Sequence, residues 1–230
     1  MTGSRAWGNR VPGNTLTHVN EVPLPDAVLA AAHDREGGAS EVAARAVDGL
    51  LQLTGDRARL DAAVAVLLAG QPAMAPIWHL ARAAGAPDPA GALRGLRGLL
   101  QNEADAAVAV AAAWLAERPG PVRTVSHSSL VDRVLARLGE PGAGTGAGLV
   151  GADAIGPSAL LNAAGTGALA ARAPTLVVTT SLKLVPAGAF ERLAAPGFET
   201  VPLSALAAVA LGGELVEPAE AGSRAAALAP

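Results

Sequence analysis

Apolar positions recur at a helical period through the first half of the chain and in short β-branched runs through the second. Behind Ser40, a candidate N-cap, Val42, Ala43, Ala46, Val47, Leu50 and Leu51 form one face of an amphipathic helix. Residues 61–68 continue the pattern, Pro72-Ala73-Met74-Ala75-Pro76 interrupts it, and a further helix runs through Trp78 and Leu80. A long helix after Pro89, with a break expected near Asn102, carries Val108, Val110, Trp114 and Leu115 as far as Pro119-Gly120-Pro121, where proline stops it.

Beyond that Pro-Gly-Pro the period changes. Residues 122–126 read as a strand, 130–138 as a helix and Gly142 to Gly146 as a flexible loop. A strand over 148–150, a helix over 168–172 and the buried strand TLVVTT over 175–180 follow, then a strand over 199–202 and a helix over 204–210. The fold class predicted is α/β: a flexible terminus over 1–20, a helical domain over 21–118, and a shortened Rossmann-like parallel-sheet domain over 121–230.

Composition narrows the picture. Only 2% of residues are aromatic, so the core must be built from Ala, Val and Leu. A net charge of −3 and scattered arginines argue against a nucleic-acid-binding face. Without cysteine there is no disulfide framework and no thiolate metal site, and His18 and His33 have no partner at ligand spacing, so no metal and no cofactor is expected. No uncharged apolar run reaches the roughly 18 residues that span a bilayer, and the first residues lack an apolar signal core, so a cytoplasmic protein without membrane contact is expected.

The richest stretch is 148–183. It places Asp153 at the end of one strand and Lys183, the chain's only lysine, at the end of the next, facing the crevice where open α/β sheets bind ligands. Asp153 suits acid/base work because burial raises a carboxyl pKa; its alternative is to cap the nearby turn. Gly165-Thr166-Gly167, before a helix, can offer N–H groups to a phosphate, or the glycine can simply satisfy a positive φ. Lys183 supplies charge to the crevice, or is an exposed lysine after a strand. His127 reads as a half-buried histidine with one backbone bond.

Gly151-Ala152-Asp153-Ala154-Ile155, Asn162-Ala163-Ala164-Gly165-Thr166 and Lys183 together resemble the signature region of the initiation-factor-2B-like family, which includes the methylthioribose-1-phosphate and ribose-1,5-bisphosphate isomerases. Gly38-Ala39-Ser40-Glu41 is similar to the family's phosphate-holding Gly-Ala turn, the stretch Ser126-His127-Ser128-Ser129 to its strand-end segment, and Leu215-Val216-Glu217-Pro218 to its closing turn. The resemblance implies a phosphorylated sugar or nucleotide bound at the strand ends by Gly38, Ala39, Asn162, Gly165, Thr166, Gly167 and Lys183. It implies Asp153 as the general acid/base of an aldose-ketose isomerase, and a homodimer.

Departures from the pattern bear on turnover. Ser128 stands where the isomerases carry cysteine, and an unassisted hydroxyl cannot exchange a proton at neutral pH as a thiol can. Ala163 replaces the lysine after the asparagine, and the segment before Gly148 lacks room for a phosphate-binding arginine motif. Turnover is expected to be low or absent. The alternative function is that of a non-catalytic regulatory or subunit-like protein acting through a protein partner, as in translation initiation factor 2B.

Overall fold

A computed structural model describes residues 23–125, 128–138, 146–193 and 196–229. The expectations for residues 1–20, for Ser126 and His127, and for the loop at 142–145 lie outside these.

The first half is helical: α1 (Asp26–His33), α2 (Ala39–Leu51), α3 (Arg57–Gly70), α4 (Ala75–Ala84) and α5 (Pro89–Ala116). Local chemistry sets the starts. The Asp56 side chain accepts the Arg59 N–H at the head of α3, and Asp88 accepts the Gly91 N–H at the head of α5, with Pro89 in the first helical position. Helix α2 departs from expectation: its N-cap is Gly38, with no side-chain cap bond, and Ser40 lies inside the first turn.

Helix α5 runs through Asn102 without the expected break. What changes there is its partner. Leu93 and Leu100 pack with Val28, Leu50, Leu60 and Leu80 of the helical layer, whereas Ala104, Ala107 and Ala111 lie in a second core with Leu149, Leu176 and Val178 of the sheet. One continuous helix therefore belongs to both halves, and small alanine side chains let it approach the sheet closely.

The second half continues as β1 (Val122–Arg123), α6 (Ser129–Leu138), β2 (Ala147–Val150), β3 (Ala154–Ile155), β4 (Ala159–Ala163), α7 (Thr166–Ala170), β5 (Thr175–Thr179), α8 (Ala187–Phe190), β6 (Phe198–Pro202), β7 (Ala208–Leu211), β8 (Glu214–Val216) and α9 (Pro218–Ala226). The main sheet has the order β1-β2-β5-β7-β8. Its first four strands are parallel, and β8 returns antiparallel to β7. Strands β2, β5 and β7 are buried along their whole length, as parallel strands covered on both faces must be. Gly146, at φ +71, starts β2 so close to Pro121 that a Cβ would lie 2.1 Å from the Pro121 carbonyl oxygen.

Three expectations are corrected. Residues 204–210 are not a helix: a 3₁₀ turn, Leu203–Ala205, leads into β7 inside the main sheet. The strand near 199–202 exists as β6, but pairs antiparallel with β4 in a separate three-stranded sheet, β3-β4-β6. The first strand of the α/β half is only the two residues of β1. The described residues include no helix long and apolar enough to cross a membrane.

Candidate functional site

Strand ends and the turns after them converge at the carboxyl edge of the parallel sheet. Gly151-Ala152-Asp153 follow β2, Ser128 precedes α6, and the turn bearing Lys183 follows β5; Asn162 reaches in from β4, and residues 35–40 with Met74 cover them from the helical layer. They enclose a cavity of about 250 Å³. Gly38, Ala39, Ser128, Asp153, Asn162 and Lys183 all line it.

Gly165, Thr166 and Gly167 do not, and the reason is local. The Gly167 N–H, which a phosphate would need, donates to Glu199 Oε1 at 2.7 Å. The Thr166 hydroxyl is fully buried and donates to the Ala163 carbonyl at 2.8 Å while accepting from Asn162 Nδ2 at 3.0 Å. This turn closes on its own neighbours and holds Asn162 in place.

Lys183 sits in a 3₁₀ turn, Ser181–Lys183, directly after β5, rather than on the strand itself. Two side chains of the helical layer grip that turn. Glu103 of α5 accepts the Ser181 N–H at 2.5 Å and the Ser181 hydroxyl at 2.7 Å. His79 of α4 donates from Nε2 to the Leu184 carbonyl at 2.8 Å, and burial pushes its pKa down, favouring the neutral ring. Neither residue was recognisable in the sequence, since each acts on a segment remote along the chain.

The Lys183 side chain is 3% exposed and makes no hydrogen bond to the described residues. Burial lowers its pKa to about 8, against the opposing pull of Asp153. Burial likewise raises the Asp153 carboxyl above its ordinary range, with Lys183 acting the other way. Asp153 is fixed by its backbone, its N–H donating to the Leu161 carbonyl and its own carbonyl accepting the Ala75 N–H, each at 3.0 Å.

Across the cavity lie two helix starts. The N–H groups of Ala39 and Ser40 at the head of α2 find no acceptor among the described residues, and a Cβ on Gly38 would stand 3.5 Å from the Ser129 nitrogen at the head of α6. Such ends carry partial positive charge. The approach to α2 is prebuilt: Asp34 Oδ1 accepts the Glu36 and Gly37 N–H groups at 2.9 and 2.7 Å, and its other oxygen pairs with Arg45. Those backbone bonds and the arginine hold the Asp34 pKa down to about 2. Ser128 Oγ packs on Gly151, where a Cβ would come within 2.8 Å of it.

The arrangement combines a buried cation, two helix N-termini and one carboxyl of raised pKa, which suits an anion and a proton transfer. Removing the Glu103 carboxylate as Glu103→Ala is expected to cost about 1.5–3 kcal/mol, the range for hydrogen bonds to charged groups, by chemical denaturation. Glu103→Gln, which keeps an acceptor, is expected to cost less.

No protein-family model matches the sequence, and neither does any curated protein. Solved structures do match. The translation initiation factor eIF-2B of Pyrococcus horikoshii OT3 has a TM-score of 0.68 at 18% identity, covering 86% of this chain and 99% of that one. The eIF2B-beta2-delta2 complex of C. thermophilum scores 0.65 at 13% identity, covering 86% and 91%. The 5-methylthioribose 1-phosphate isomerase of P. horikoshii OT3 scores 0.52 at 14% identity, covering 87% and 86%. The fold of this chain is that of the initiation-factor-2B-like proteins.

Proposed function

We propose that this chain is a divergent initiation-factor-2B-like protein that binds a small phosphorylated sugar in the Asp153–Lys183 cavity. The phosphate sits between the starts of α2 and α6, and the sugar extends toward Asp153 and Lys183. One observation carries this reading: Lys183, a buried residue with no hydrogen-bond acceptor among the described residues, opens into the same cavity as the uncapped start of α2. The lysine charge and the positive helix start act on one cavity, and together they favour an anionic ligand. The cavity lies just under the roughly 300–1,000 Å³ usual for drug-sized ligands, which favours a sugar phosphate over a nucleotide.

Isomerase turnover is low in this reading, because Ser128 offers no group that titrates near neutral pH. The fold similarity to initiation-factor subunits supports a second reading, in which the ligand regulates assembly with a protein partner. A homodimer belongs to both, and light scattering at micromolar concentration giving a monomer would contradict it.

Thermal shift tests the binding claim, with ribose 1,5-bisphosphate, methylthioribose 1-phosphate, adenosine monophosphate and ribose as probes. A ligand at about 100 times its Kd contributes about 2.7 kcal/mol, a rise in Tm on the order of 5–10 °C for a chain of this size. The sugar phosphates are expected to produce it and ribose is not. Equal shifts with ribose would remove the phosphate from the account.

A further inference from the structure

We infer that Lys183 is an imine-forming amine: a phosphorylated aldose with a free anomeric carbon condenses with Lys183 Nζ through its open-chain aldehyde, Asp153 handling the protons. This rests on the phosphorylated-sugar reading of the same cavity and narrows it to a class of ligand. The grounds are geometric. Lys183 is buried, its nitrogen has no hydrogen-bond acceptor to give up among the described residues, and it lines a cavity whose walls include Met74, Ala152 and Val178. Asp153 lines the same cavity and is the charged group that acts on it. With phosphate at the helix starts, the other end of a short sugar is directed to the lysine.

The chemistry balances without a further reagent. The neutral amine attacks the aldehyde carbon, the C–N bond forms as the C=O π pair moves to oxygen, and one of the two protons on the now cationic nitrogen passes to that oxygen to give a carbinolamine. Asp153 in its acid form protonates that hydroxyl, the C–O bond breaks, and water leaves as the nitrogen lone pair completes the C=N bond. The nitrogen's surplus proton returns to Asp153, so the net change is aldehyde plus amine to imine plus water. Both groups are tuned for it: burial lowers Lys183 to about 8, leaving roughly a tenth of it neutral at pH 7, and raises Asp153 toward its acid form.

The test is reductive trapping. The full chain is incubated with ribose 5-phosphate and cyanoborohydride, and peptide mapping by mass spectrometry locates the label; Lys183 is the only lysine, so it competes with the terminal amine alone. Lys183 is expected to be labelled at least about tenfold faster by ribose 5-phosphate than by ribose, the selectivity that one charge-assisted phosphate contact supplies. Asp153→Asn is expected to slow trapping about 100-fold or more, as loss of a general acid does. Ribose 1,5-bisphosphate, whose C1 phosphate prevents ring opening to an aldehyde, is expected to block labelling and still raise Tm. Label confined to the terminal amine, or equal labelling by ribose, would overturn the imine even where the sugar phosphates raise Tm. Absence of both label and thermal shift would overturn the phosphorylated-sugar reading with it.

Discussion

Between pH 8 and 10.5 the ligand-free protein is expected to gain stability on the order of 3 kcal/mol, from the difference between the Lys183 pKa of about 8 and its ordinary 10.5 at about 1.4 kcal/mol per pH unit. The direction follows from proton counting. In that window the unfolded chain holds a proton on Lys183 and the folded chain does not, so unfolding takes up a proton and becomes harder as pH rises. The contribution is complete above the unfolded pKa and gone below about pH 8. The chain has no tyrosine, no cysteine and no other lysine, so Lys183 is the only side chain of ordinary alkaline pKa that can give this signal. Urea titrations at pH 7.5, 9 and 10.5 would show it as a rising midpoint. A flat or falling midpoint would mean that Lys183 is solvated.

Lys183→Met is expected to weaken binding of ribose 1,5-bisphosphate at pH 7 on the order of 10²- to 10³-fold, since truncating one member of a buried charge pair costs about 2–5 kcal/mol. Methionine nearly matches lysine in volume and lacks only the terminal amine position, so little space opens. It also removes a charge that burial disfavours, so the free protein should unfold at no lower denaturant concentration than the parent. Loss of affinity together with retained stability separates a binding role from a structural one. Isothermal titration finding an unchanged Kd would remove Lys183 from the site.

Much of this architecture can be read from the chain, and the places where reading fails have physical causes. The face of α2, the helix α6 and the strands β2 and β5 follow from apolar periodicity, because each element buries the side its own sequence supplies. Strand β7, Ala208–Leu211, reads as helix because alanine favours helices; burial on both faces of the sheet overrides that propensity. The β3–β4 hairpin, which turns through Gly156-Pro157-Ser158, has no counterpart in the sequence reading, and β4 is completed only by β6, with Leu160 opposite Val201.

The site divides in the same way. Asp153 and Lys183 are visible because strand ends of an open sheet face one crevice. Glu103 and His79 are not, since their bonds to Ser181 and Leu184 span 78 and 105 residues. The turn at Gly165-Thr166-Gly167 has the composition of a phosphate turn, but Glu199, 32 residues on, takes the Gly167 N–H. The helix start whose N–H groups find no acceptor among the described residues is that of α2, far along the chain from the strand ends it faces across the cavity.

The single lysine also permits the most direct measurement. With ¹⁵Nζ-lysine incorporated, NMR of this protein contains one lysine side-chain signal, whose pH titration reports the state of Lys183 with and without ligand. A midpoint near 8 is expected in the free protein, as burial dictates, with a move to higher pH when ribose 1,5-bisphosphate is bound and its phosphates favour the ammonium. A midpoint near the ordinary lysine value of about 10.4, unchanged by the sugar phosphate, would contradict the claim that Lys183 is a buried cation awaiting an anionic ligand.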